Sequence, residues 1–138
     1  MATTVLIILA AVFIGGLTMH ALKQYQLRLK QRISDNEYNV AVKLWEYACV
    51  VEKSINQAIR KSNGVLEFAR IAIPTSDGYH LSLELIGTYF RVHAVPTRYN
   101  RTGKLSFLTD NTLTVRAADH LGRQASADDP EYKGDLAD

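Results

Sequence analysis

The chain has 138 residues, 47% hydrophobic and 22% charged, which excludes a disordered or collagen-like chain and suits one modest domain, or a smaller domain plus an appendage. A formal net charge of +2, from 16 Lys and Arg against 14 Asp and Glu, does not by itself argue for nucleic acid. A lone cysteine, Cys49, excludes an internal disulfide framework and a zinc cluster built on several thiolates.

Charge is unevenly spread along the chain. Residues 1–22 contain no Asp, Glu, Lys or Arg, whereas residues 123–138 carry five acids against two bases. The run from Val5 to Leu22 is eighteen residues without a formal charge. A bilayer core of about 30 Å needs about 20 apolar residues as a helix, so residues 1–22 read as a transmembrane helix in contact with lipid. A cleaved secretory signal would start with a basic stretch and end at a small-x-small site; here no Lys or Arg precedes the apolar run. Gly15 and Gly16 would let another membrane helix approach closely, which makes them candidate partner-binding residues. Against that stands the general abundance of glycine in such helices. His20 falls at the membrane edge, where an imidazole could ligate a haem iron or a chlorophyll magnesium; the plainer reading is an interfacial polar residue.

After Leu22 the sequence turns amphipathic, and residues 23–63 read as its helical continuation. Lys23, Arg28, Lys30 and Arg32 follow within ten residues, as in a helix leaving a bilayer through anionic headgroups. Val40, Leu44, Ala48, Val51, Ile55 and Ala58 or Ile59 recur at spacings of three and four, one stripe of an α-helix. Ser34 to Glu37 has the form of a capping box, where the helix restarts or kinks. Lys61-Ser62-Asn63-Gly64 places bases in a last turn and a glycine beyond it. Unbroken from Thr3 to Ser62, the helix would be about 90 Å long, with half of it outside the membrane. Trp45 is expected to pack into whatever covers the stripe, and Cys49 to be a small core residue.

Past Gly64 the period changes to two, and residues 64–122 read as an antiparallel sheet domain. His80 to Leu85 and Tyr89 to Val95 alternate polar with apolar, and Gly87-Thr88 fits a two-residue turn needing positive φ first. That turn pairs Ile86 with Tyr89, Glu84 with Arg91 and Ser82 with His93. Leu81, Leu83 and Leu85 then share a face with Phe90, Val92 and Ala94. Residues 97–103 form a polar loop. Lys104–Thr109 and Thr112–Arg116 read as a second hairpin about an Asp110-Asn111 turn, and residues 123–138 as an acidic flexible tail. The apolar face of the sheet requires a cover, and the helix stripe supplies it. The fold class is α+β: a long helix, its N-terminal part transmembrane, packed on a four-stranded antiparallel sheet.

Asp77-Gly-Tyr79, Ala94-Val-Pro96, Tyr99, Thr102-Gly103, Ser106-Phe107, Asp110 and Val115-Arg116 follow a helix of this kind, and together they resemble a type IV pilin or pseudopilin. The resemblance implies a bacterial pilin-like protein, with the domain outside the cytoplasm. It departs from the family at its start. Pilins have a basic leader, a peptidase site and a glutamate at the fifth mature position that neutralises a neighbour's N-terminal amine; this chain reads Met-Ala-Thr-Thr-Val5. A homopolymer is therefore disfavoured, and a pilin-like fold with another use is expected.

Catalytic signals are thin. His80, Glu84 and His93 fall on one face of the first hairpin, but Glu84 opposite Arg91 reads as an ion pair, and no complete metal-ligand set is visible. No phosphate loop, metalloprotease motif or nucleophile elbow occurs. Arg98, Tyr99 and Arg101, with Lys104, form a basic-aromatic loop that could suit nucleic acid or anionic lipid, and is read instead as a solvated loop contacting a protein partner. Asn100-Arg-Thr102 matches a glycosylation sequon. The expectation is a non-enzymatic structural or accessory subunit of a membrane complex, respiratory or photosynthetic in type, bound to integral membrane subunits. The alternatives are a minor pilin or pseudopilin, and a cofactor-bearing subunit using His20. The four bases after the membrane run favour a cytoplasmic domain by the positive-inside rule. The resemblance favours an extracytoplasmic one on a bacterial inner membrane, and is followed because it covers more residues.

Overall fold

The computed structural model describes residues 2–61, 73–74, 76 and 78–134, with side chains from residue 15 onward. It forms two compact units, Met1–Arg32 and Ile33–Asp138. Helix α1 is Ala2–Lys61, and it continues through residues 34–37 without restarting. Four strands follow: β1 Tyr79–Ile86, β2 Tyr89–Pro96, β3 Ser106–Asp110 and β4 Arg116–Ala118. They make one antiparallel sheet in the order β1-β2-β3-β4. The arrangement is α+β, one long helix and a meander.

Among the described residues no helix is long and apolar enough to cross a membrane. Most of the apolar run 5–22 belongs to positions whose side chains lie outside the description, as do the helix-end signal at Ser62 to Gly64, Asp77 and residues 135–138.

In the second unit the stripe expected from periodicity is the core. Val40, Leu44, Ala48, Val51 and Ile55 are buried in one cluster with Leu81, Phe90, Val92, Ala94, Phe107 and Ala117. Two stripe assignments change. Trp45 is 49% exposed, whereas Tyr47 is buried, because the sheet covers the side of the helix defined by Val40, Leu44 and Val51. Ile59 is exposed, beyond the end of the stripe. Cys49 is half-buried.

The first hairpin has the expected register: Ile86 faces Tyr89, Glu84 faces Arg91 and Ser82 faces His93. Gly87 sits at φ +61, the backbone region a two-residue turn asks of its first position. Burial fades along edge strand β1, from Leu81 through partly buried Leu83 to exposed Leu85, because the core centres on β2 and β3. The second hairpin differs from expectation. Phe107 pairs with Ala117 and Ser106 with Ala118, so β4 starts where the expected strand ended. Asp110 is the cause. Its Oδ1 accepts from the Thr112 amide at 2.9 Å and the Thr112 hydroxyl at 2.7 Å, and its carbonyl accepts from Leu113 N. A side chain that binds the backbone two residues on stabilises a loop over a continuing ladder. Asn111 holds the loop to the first turn, accepting from Phe90 N and donating to Thr88 O.

The acidic segment also differs from a loose tail as far as it is described. Glu131 bridges to Arg116, Ala117 N donates to Pro130 O and Tyr132 N to Val115 O. The Tyr132 ring packs edge-on against Phe107 at 5.1 Å.

Helix and loop 97–105 are joined by polar contacts. Glu37, buried, accepts from the amides of Lys104 and Leu105 at 2.7 and 2.9 Å through one oxygen. Asn36 Nδ2 donates to Thr102 O at 2.8 Å. Glu37 is thus a long-range tie rather than half of a capping box. Tyr79 completes the corner, donating to Leu105 O at 2.9 Å. Burial and the nearby Glu37 carboxylate push its phenol well above the ordinary tyrosine value, so it stays a donor. Gly103 lies directly under this ring, where any Cβ would collide with the Tyr79 hydroxyl.

Candidate functional site

Between residues 33 and 61 the helix has a second apolar side. Tyr38, Val42 and Trp45 recur at spacings of four and three, about 135° around the helix from the buried stripe by its 3.6-residue turn. They are 59%, 39% and 49% exposed. Beside them opens a groove of about 260 Å³ lined by Tyr38, Val42, Trp45, Val115 and Tyr132. A more polar hollow of about 460 Å³ adjoins it, around Asn36, Asn39, Lys43, Glu46 and Ser76. Ligand pockets usually hold about 300–1,000 Å³. The apolar groove is smaller, and its volume suits one or two apolar side chains of a partner. An exposed aromatic cluster rimmed by polar groups is the surface signature of association.

The expected site residues are dispersed. Gly15 and Gly16 are exposed, and among the described residues nothing lies within 4 Å of where a Cβ would stand on either. The Thr18 hydroxyl donates to Gly15 O at 2.9 Å. His20 is exposed, and no group of three metal-ligating side chains occurs among the described residues. Arg98 and Arg101 are exposed, but Tyr99 is committed within the fold. Its hydroxyl donates to Asp119 Oδ2 at 3.0 Å, and Lys104 reaches the same oxygen at 3.6 Å. The Leu121 amide, then Tyr99 and Lys104, hold the Asp119 carboxyl below the ordinary value. The loop therefore offers two bases and a half-buried ring. Asn100 is at φ +60 and exposed.

The face carrying His80, Glu84 and His93 does not converge on a metal. Glu84 faces Arg91, and His93 is buried with Nδ1 lacking a partner among the described residues. Burial lowers its pKa, opposed by Glu84 and reinforced by Arg91. A further polar knot was not anticipated. Asp129, buried, receives His120 Nε2 at 2.7 Å and Ser126 N at 2.7 Å, while Arg116 donates to its carbonyl at 3.0 Å. These bonds hold the chain after β4 in place.

Sequence reasoning missed the groove because Trp45 was assigned to the core. A signal was present: Tyr38, Val42, Trp45 and Cys49 form a second stripe at spacings of four, three and four. Comparison with known protein families, with characterised proteins and with solved structures finds no match to this chain.

Proposed function

We propose that this chain is a non-catalytic, single-pass, membrane-anchored structural or accessory subunit of a larger membrane protein complex, with a pilin-like domain. The observation that carries the proposal is the exposed Tyr38, Val42 and Trp45 side of a helix whose opposite side is already filled by the sheet. Such a face is left for a partner protein. The uncharged run Val5–Leu22 supports an anchor by length, and the small residues Gly15 and Gly16 would admit a neighbouring membrane helix. In this reading the domain faces outward from a bacterial inner membrane, the host complex is of respiratory or photosynthetic type, and no cofactor is needed.

Solubilisation of the full chain in mild detergent tests the proposal. It expects co-migration at fixed stoichiometry with large hydrophobic subunits, lost on Trp45→Ala while the domain still melts as the parent does. A ladder of homopolymer would instead select the minor pilin or pseudopilin reading. A haem or chlorophyll spectrum that disappears on His20→Ala would select the cofactor-bearing one. Unchanged co-migration of Trp45→Ala would remove the groove from the argument.

A further inference from the structure

We infer that residues 23–32 form a collar that binds anionic phospholipid headgroups, an inference that rests on the membrane-anchor reading above. Lys23, Arg28, Lys30 and Arg32 are helical and exposed. None takes part in an ion pair formed among the described residues. Residues 1–34 contain no Asp or Glu, so nothing acidic interrupts the four bases. All of them belong to the unit Met1–Arg32.

Their angular arrangement indicates the partner. At 3.6 residues per turn, Lys23 and Lys30 fall on one side of the helix and Arg28 and Arg32 on the opposite side, within about 14 Å along the axis. A protein groove or a nucleic acid strand approaches a helix from one side and calls for a single basic stripe. A bilayer surface surrounds the helix and engages bases at every angle. Exposed Leu22, Tyr25 and Leu27 lie among the bases, the mixture of aromatic, aliphatic and cationic side chains suited to the membrane–water interface. Each base near an anionic leaflet contributes about fivefold in binding, over a reach of about 8 Å at physiological salt. The collar thereby fixes the depth of the anchor and enriches acidic lipid around it.

The test reconstitutes the full chain into bilayers of phosphatidylcholine with phosphatidylglycerol, and into phosphatidylcholine alone. Spin-labelled lipids report which headgroup is immobilised at the protein. The wild type is expected to select phosphatidylglycerol over phosphatidylcholine several-fold, with the preference falling as salt rises. The combined Lys23→Gln, Arg28→Gln, Lys30→Gln and Arg32→Gln chain, which keeps good helix formers, is expected to insert equally and to select neither. Insertion into both bilayers with equal selectivity in wild type and variant would overturn the collar and leave the anchor standing. Failure of the wild type to resist carbonate extraction from either bilayer would overturn both.

Discussion

Replacing Glu37 tests the joint between helix and sheet domain most directly. Its carboxylate is buried, and one oxygen accepts the amides of two consecutive residues, Lys104 and Leu105. Hydrogen bonds to a charged acceptor contribute about 1.5–3 kcal/mol each, and a buried amide left without a partner costs about 1–3 kcal/mol. Glu37→Ala removes both bonds at once and leaves two part-buried amides without their acceptor, so a loss of about 3–5 kcal/mol follows. Glu37→Gln keeps a carbonyl acceptor and loses only the charge, at about 1–2 kcal/mol. Urea unfolding followed by Trp45 fluorescence reads the difference; with a slope of about 1.5 kcal/mol per molar, the alanine midpoint falls by about 2–3 M. Glu46, exposed on the same helix, is the control, and Glu46→Ala should stay within about 0.5 kcal/mol. Hydrogen exchange at the Lys104 and Leu105 amides should quicken in Glu37→Ala before the rest of the sheet. An alanine variant with the parent's midpoint and unchanged exchange at those amides would refute the tie.

Two further outcomes follow from polar atoms that are buried without partners among the described residues. The Tyr47 hydroxyl and Thr109 Oγ1 are such atoms, so Tyr47→Phe and Thr109→Val should each be neutral or stabilising by up to about 1 kcal/mol; a loss larger than that in either urea midpoint would show an unseen partner. His93 is held neutral by burial, with Glu84 opposing and Arg91 assisting. Its folded pKa lies below the unfolded value of about 6.5, so the unfolded chain binds the extra proton and stability falls as pH drops from about 6.5 through the folded pKa. Midpoints measured from pH 7.5 to pH 5 should fall more steeply in the wild type than in His93→Leu, and equal slopes would refute this.

The parts of the fold legible in the sequence are those where backbone and side-chain signals agree. At Gly87 the turn chemistry and the alternation of β1 and β2 select one register, since a slip by one residue would put Glu84 and Phe90 on the same face. The helix stripe from Val40 to Ile55 was legible for the same reason. Where one side chain acts at a distance, the local pattern misleads. Ser34 and Glu37 satisfy a local capping rule, but the Glu37 carboxylate is used 67 residues away at Lys104. Asp110 and Asn111 look like the two residues of a tight turn, yet both side chains bind backbone groups and lengthen the loop. His93 alternates as an outward polar residue, yet it is buried. Alternation gives the face of a strand residue and not what covers that face.

The groove was obscured by an assumption about numbers of faces rather than by a missing signal. A helix that packs on one sheet needs one apolar stripe, and the residues from Val40 to Ile55 already provide it. Tyr38, Val42 and Trp45 are surplus to that requirement. The three could not join the same core, because a 3.6-residue turn points them well away from Leu44 and Val51. Their exposure is therefore dictated by the stripe being filled, not by weak packing at the edge of the domain. Fully burying a side chain of this size is worth about 1.5–3 kcal/mol, so three left in water represent a sizeable unused contribution. Val115 and Tyr132, brought alongside by the loop after β3 and the segment after β4, shape that surface into a groove rather than a flat patch. Both of those placements depend on the Asp110 loop and the Arg116–Glu131 bridge, two of the features the sequence did not disclose. The groove is thus a product of sheet irregularities acting on a helix side whose apolar character was present in the sequence throughout.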